Sequence, residues 1–179
     1  ILEEPQRRLL GRLSVFIGGF DLEAAEENVG PAGEIGVDVL DGLMALADQS
    51  LIRSLDADPP RFQILETIRE FAAEMLDGRE DASAIRARHT RWYLELAEAA
   101  APRLAGAEQR ALLERLEREH DNIRAVLDRA VATADAGTAI RLSFAMWRFW
   151  QKRGHLNEAR RRLEQLVAGV VPGGSGSHS

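Results

Sequence analysis

Between Arg61 and Met75 the chain reads RFQILETIREFAAEM, and its hydrophobic period changes inside that run. RFQIL has the character of a short strand, whereas Ile68, Ala72 and Met75, with Phe71 and Leu76 beside them, recur at helical spacing up to Gly78. A strand that passes into a helix without a loop leaves little freedom in how the two are joined. Upstream, LIRSL (Leu51–Leu55) pairs naturally with RFQIL (Arg61–Leu65) across DADPP, whose prolines exclude a continuing helix and favour a turn. The expectation is a β-hairpin that runs directly into a helix.

The residues before the hairpin read as three helices. Leu9, Leu10, Leu13 and Phe16 follow Pro5 at helical spacing, which predicts a helix from Pro5 to Val15, closed by Gly18 and Gly19. Asp21 is suited to cap LEAAEENV, and Gly30–Gly36 reads as a loop. Val37 to Asp48 then carries one stripe of Val37, Leu40, Met44 and Ala47 and a second of Val39, Leu43 and Leu46, enough apolar surface to predict burial. Three helices, a two-stranded hairpin and a closing helix make a winged-helix domain over residues 1–80.

From Ala82 onward the pattern is helical. Ile85, His89, Trp92, Leu96 and Ala99 form one stripe before Pro102 and Gly106. Glu108–Glu119 and a stretch through Ile123, Val126, Leu127 and Ala130 read as two helices or one bent rod, ended by Gly137. Ile140, Phe144 and Trp147 on one side, with Met146, Phe149 and Trp150 on another, predict a helix sandwiched between neighbours. Leu156, Ala159, Leu163 and Leu166 face back from a last helix after Gly154. The pair Ala139–Arg153 and His155–Ala168 resembles a tetratricopeptide repeat, with Gly154 at the turn and Ala159 at the crossing. The predicted architecture is mainly α: residues 1–80 a winged-helix domain, 81–171 a tetratricopeptide-like helical solenoid, and 172–179 a flexible linker or appended tail, so that His178 carries no functional weight.

Composition narrows the function. There is no cysteine, which excludes disulfides and thiolate chemistry and suits a reducing, cytoplasmic setting. No apolar run reaches the roughly 18 to 20 residues a membrane helix needs, and the start ILEEPQRR is unlike a signal peptide, so no membrane role is expected. The absence of an initiator Met suggests a piece of a longer protein. The net charge of -6 is unevenly spread: residues 1–80 carry 7 arginines against 17 acidic residues, and residues 81–179 carry 16 basic against 12 acidic.

That asymmetry bears on DNA. A winged helix of this topology would lay its recognition helix in the major groove and neutralise phosphates with Lys or Arg. Here VDVLDGLMALAD holds Asp38, Asp41 and Asp48 and no basic residue, and Arg53 and Arg61 are balanced by Asp56 and Asp58. Phosphate repulsion argues against DNA as a partner of this chain. The cluster Arg148, Lys152, Arg153, Arg160, Arg161 and Arg162 is a solvated rim or a partner-binding surface for an acidic protein or nucleic acid. No catalytic constellation emerges. His120-Asp121 lacks a second His and Asp for a metal dyad, His155 and Glu158 lack a third ligand, and His89 lies on the apolar stripe as a packing residue. The Gly18-Gly19 pair is not followed by a phosphate-loop pattern. No enzyme activity, metal or cofactor is expected in this chain.

Six blocks in series carry a resemblance: GGFDLEAAE (Gly18–Glu26), VLDGLMALADQSLI (Val39–Ile52), RFQILETIREFAAEML (Arg61–Leu76), RHTRWYLELAE (Arg88–Glu98), LEREHDNIRAVLDRAV (Leu116–Val131) and FWQKRGHLNEARRRLE (Phe149–Glu164). Together they resemble the large bacterial transcriptional regulators of the STAND class, which carry an NB-ARC-type ATPase core and are often grouped as LuxR-type or SARP-type. The resemblance implies a non-catalytic fragment that follows the core, with ATP or ADP belonging to the parent protein. The winged helix would pack on the NB-ARC domain and the repeats would receive a protein or small-molecule signal. It also implies that Leu65, Glu66 and Arg69 contact the core. In relatives a Met-His-Asp motif stands at this junction and its histidine meets ADP. Ile64, Leu65 and Glu66 occupy those places, and Leu65 has no donor for a phosphate. The alternatives are a DNA-binding winged-helix regulator and a free-standing repeat scaffold.

Overall fold

The computed structural model describes residues 1–170, and the reading of residues 172–179 as a linker or tail lies outside them. The chain is mainly helical and divides into two compact units, Ile1–Trp92 and Tyr93–Ser179. The boundary drawn from the sequence after residue 80 lies in the turn before the helix Ala82–Ala100.

The first unit runs α1 (Glu4–Leu13), β1 (Phe20–Asp21), α2 (Leu22–Val29), α3 (Ala32–Ile35), α4 (Val39–Asp48), β2 (Ile52–Leu55), β3 (Arg61–Ile64) and α5 (Glu66–Asp77). The hairpin and its passage into α5 form as the change of period predicts, with Leu65 as the only residue between β3 and α5. The sheet has three strands rather than two, in the order β1-β3-β2, all antiparallel. Two residues give no readable period, so β1 was not legible, yet it places Phe20 opposite Phe62. Phe20 then stacks between Phe16 at 4.7 Å and Phe62 at 6.1 Å, and this aromatic row ties the sheet to the segment after α1. Asp21 caps α2 as expected, accepting the Ala24 N–H at 2.8 Å.

Further expectations in this unit are corrected. The Gly30–Gly36 loop contains α3, whose Ile35 is fully buried. α4 begins at Val39, with the Asp38 carboxylate accepting the Asp41 N–H at 3.2 Å. Only one of its two apolar stripes is buried. Val39, Leu43 and Leu46 enter the core, whereas Leu40 and Met44 are 43% and 52% exposed. The choice follows from Gly42, where an added Cβ would overlap Leu9 of α1: the missing side chain lets α1 approach that face, and the stripe about a third of a turn away is left outside. Phe71 is exposed as well, since α5 buries Ala72 and Leu76 against α1. A buried cation that periodicity could not reveal completes the unit. Arg12 of α1 pairs with Glu34 at 3.0 Å and Asp81 at 2.7 Å and donates to the Val29 carbonyl, holding both carboxyls below their usual range although burial of Asp81 pushes the other way.

α6 (Ala82–Ala100) gives its residues through Trp92 to the first unit and from Tyr93 to the second. Ile85 and His89 are buried as expected, but the buried line continues through Tyr93, Ala97 and Ala100, leaving Ala99 exposed. The second unit continues through a 3-10 turn (Ala101–Ala105), α7 (Gln109–Ala132), α8 (Ala136–Arg153) and α9 (Leu156–Val170). α7 is a single helix. Asp121 and Asn122 do not interrupt it, because the buried Asn122 amide donates to Glu119 at 3.3 Å and Asp121 pairs with Arg124 at 3.2 Å. Gly137 does not end the pair either. The turn is made at Thr133–Asp135, and Asp135 caps α8 by accepting the Thr138 N–H at 3.1 Å.

α8 is apolar on both sides but buried on one. Leu142, Met146, Phe149 and Trp150 have no exposed surface, while Phe144 is 86% exposed and Ile140 and Trp147 lie open beside it. Gly154 turns the chain at φ 77°, a conformation that favours glycine, and the fully buried Ala159 brings α9 close to α8. Leu156 and Leu163 do not face back as expected: both are exposed, on the side where Trp147 lies.

Candidate functional site

The strand-to-helix junction gathers the three residues expected to meet an ATPase core. A cavity of about 240 Å3 is lined by Leu65, Glu66 and Arg69, and also by Arg53, Gln63 and the Gly18-Gly19 turn. Leu65 is exposed at its rim, in extended conformation before α5. Glu66 opens α5, where a carboxylate meets the positive end of the helix dipole, and Arg69 grips it with two bonds of 3.0 and 2.6 Å. The Arg69 bond holds the Glu66 carboxyl below its usual range and raises the guanidinium. Next to this pair, Arg53 donates twice to Gln63 Oε1 at 3.1 and 2.6 Å, as their cross-strand register requires. The sequence does not tie Arg53 and Gln63 to this junction, because neighbours on a sheet share no sequence spacing. Gly19 lies at φ 119°, where a Cβ would press on the Phe62 carbonyl at 3.2 Å, so the glycine pair serves the close approach of this turn to β3.

The recognition-helix position presents a different surface. Asp38, which caps α4, and Leu40, Asp41, Met44 and Asp48 along it are exposed, three carboxylates beside two apolar side chains with no cation among them. Arg61 is buried in the sheet and does not join it.

The basic cluster of the second unit is split by the fold. Arg162 is drawn into a chain of ion pairs with Glu158 at 3.0 Å and with Asp128, and Glu158 is gripped from the other side by Arg124 at 2.6 Å. Burial raises the Glu158 carboxyl, but the two arginines outweigh it and hold the group down to about 2. Arg160 pairs with Glu164 at 2.9 Å. Arg148, Lys152, Arg153 and Arg161 point to solvent, so four of the six cations remain as a rim, and Arg161 also borders a cleft of about 360 Å3 with Arg124, Glu158 and Arg162.

The histidines also resolve. His89 is buried and meets Phe16 edge-on at 5.3 Å. His120 is buried on α7, where Nε2 accepts the Trp150 indole N–H at 3.1 Å, and burial, with Arg124 nearby, lowers it to about 4. His155 does not pair with Glu158; it lies against His120, with ring centroids 4.7 Å apart, and 3.6 Å from Glu117.

Residues 2–77 match a family model described as "Winged helix-turn-helix domain". The chain is 33% identical over 159 residues to two proteins named as putative HTH-type transcriptional regulators, Rv0890c of Mycobacterium tuberculosis and Mb0914c of Mycobacterium bovis. Each match covers 88% of this chain and 18% of the relative, so the chain spans less than a fifth of the length of either regulator. It is also 34% identical over 92 residues to "Uncharacterized protein Rv0894" of Mycobacterium tuberculosis, covering 50% of this chain and 23% of that protein. No solved structure matches the chain. The first unit therefore carries a winged helix-turn-helix domain, in a chain similar to regulators of that type.

Proposed function

We propose that this chain, built on a winged helix-turn-helix domain, is a non-catalytic regulatory module of a larger transcriptional regulator. Its winged helix docks on an ATPase core of NB-ARC type, and its helical unit, of tetratricopeptide-like design, receives a protein or small-molecule signal. ATP or ADP belongs to that core. The observation that carries this reading is the exposed face of α4, where Asp38, Asp41 and Asp48 lie beside Leu40 and Met44. Carboxylates repel a phosphate backbone, whereas an apolar pair fenced by one sign of charge suits a protein surface of the opposite sign. The junction cavity adds a second contact region, with Leu65 as an apolar contact and the Glu66–Arg69 pair at its edge.

Titrating the chain with the nucleotide-binding portion of its parent regulator tests this directly. A saturable complex is expected, tighter with ADP than with ATP and weakened by Leu65→Arg. No complex in either nucleotide state, or ATP turnover by the purified chain alone, overturns the proposal.

A second reading is favoured by the winged helix-turn-helix match itself: direct binding of DNA by this chain, through the winged helix or the cations at the α8–α9 turn. It requires duplex binding that weakens with salt and is lost when Arg148, Lys152, Arg153 and Arg161 are changed to Glu.

A further inference from the structure

Glu117 and His120 stand three residues apart on α7, so their side chains share one face of the helix. His155 reaches them from 35 positions along the chain, delivered by the left-handed turn at Gly154 between α8 and α9. The three side chains offer one ligand atom each within 4.8 Å of one another, and His155 Nε2 lies 3.6 Å from Glu117 Oε2. Two imidazoles and one carboxylate are a donor set for a borderline divalent ion, which takes nitrogen at about 2.0–2.1 Å and carboxylate oxygen at about 2.0–2.2 Å in tetrahedral geometry.

We propose that Glu117, His120 and His155 bind a divalent transition-metal ion of the zinc class, which clamps the middle of α7 to the α8–α9 turn. His120 is buried and serves as the fixed ligand. Glu117 and His155 keep 46% and 26% of their side-chain surface exposed, so both have room to close on the ion and solvent reaches the site. Water fills the fourth position. Arg124, whose charge acts on His120, is itself compensated, since Glu158 and Asp121 hold it at 2.6 and 3.2 Å.

Trp150 supplies a built-in reporter. Its indole N–H can only donate, so His120 Nε2 carries a lone pair in the metal-free protein. An ion on Nε2 takes that lone pair, and an ion on Nδ1 sends the remaining proton to Nε2. Either way the Trp150 bond is broken, and the indole changes its surroundings.

The test uses the full chain, stripped with a chelator and titrated with ZnCl2 by calorimetry. The same titration is followed by emission in a Trp92→Phe, Trp147→Phe background, which leaves Trp150 as the only tryptophan. One ion per chain is expected, with a change in Trp150 emission and a rise in melting temperature that saturate together. His155→Ala and Glu117→Gln, both at partly exposed positions and checked for retained helicity by circular dichroism, should each weaken binding by about tenfold or more; loss of outer-shell partners alone typically costs about that much. His178→Ala should leave binding unchanged. No saturable binding, binding that survives the double variant His155→Ala, Glu117→Gln, or binding lost with His178→Ala overturns the proposal.

Discussion

In the first unit the exposed apolar side chains are dispersed: Leu65 stands at the strand-to-helix junction, Phe71 on α5, and Leu40 with Met44 among the aspartates of α4. In the second they run along two helices, and Trp147, Leu156, Leu163 and Val167 line one groove of about 750 Å3. Both patterns begin as helices with more apolar positions than one buried face can use. What separates them is the charge alongside. Carboxylates flank the α4 pair, so in the proposed docking role that surface would select a partner by sign. The α8–α9 groove is largely apolar, and under the proposed role a partner there would be selected by shape and burial rather than by sign.

The sharpest way to break this comparison is to truncate the two faces of α8. Trp150→Ala, at a fully buried position that also loses the bond to His120, should cost about 3–5 kcal/mol in denaturant unfolding. Trp147→Ala, on the open face, should stay within about 0.5 kcal/mol. Equal costs would mean that the open face is packed after all.

Acid should act next, and on the second unit. His120 is held neutral by burial, about 4 against 6.5, so its contribution is complete above pH 6.5 and is lost as the pH falls toward 4. Glu158 is held ionised by Arg124 and Arg162 against the cost of burial, so its contribution is lost between 4.5 and about 2. Unfolding followed by Trp150 emission should show both losses, and Glu158→Gln should remove the lower one while leaving the upper.

A smaller effect treats the units alike. Asp21→Ala and Asp135→Ala each remove a side-chain cap and should cost about 1 kcal/mol, measured by thermal melting. The smallest change is expected at the cationic rim, where Arg161→Glu should alter stability by no more than about 0.5 kcal/mol. Arg162→Glu should cost clearly more, since it breaks the pairs with Glu158 and Asp128.

Local chemistry made the hairpin, α5 and the cap at Asp21 legible, because a change of period, two prolines and an aspartate each act within a few residues. Long-range partners decided the rest. The two-residue strand β1 exists because Phe62 is opposite it, the buried stripe of α4 because Leu9 fits against Gly42, and the continuity of α7 because Glu119 satisfies Asn122. The same limit hid the candidate sites. Leu65, Glu66 and Arg69 could be named from one segment, but Arg53 and Gln63 join them only through the sheet. Of the proposed metal ligands, His120 has only Glu117 near it along the chain and His155 has neither, so the three meet only through the turn at Gly154.

Whether the winged helix of this chain faces protein or DNA is tested most directly by fluorescence anisotropy of a labelled random duplex, titrated with the full chain from low to physiological salt. A protein-facing winged helix gives no saturable rise at any salt concentration, because the aspartates of α4 meet the phosphates. A rise at low salt that falls steeply as salt is added, and that is abolished by Arg53→Glu in the wing, would contradict it.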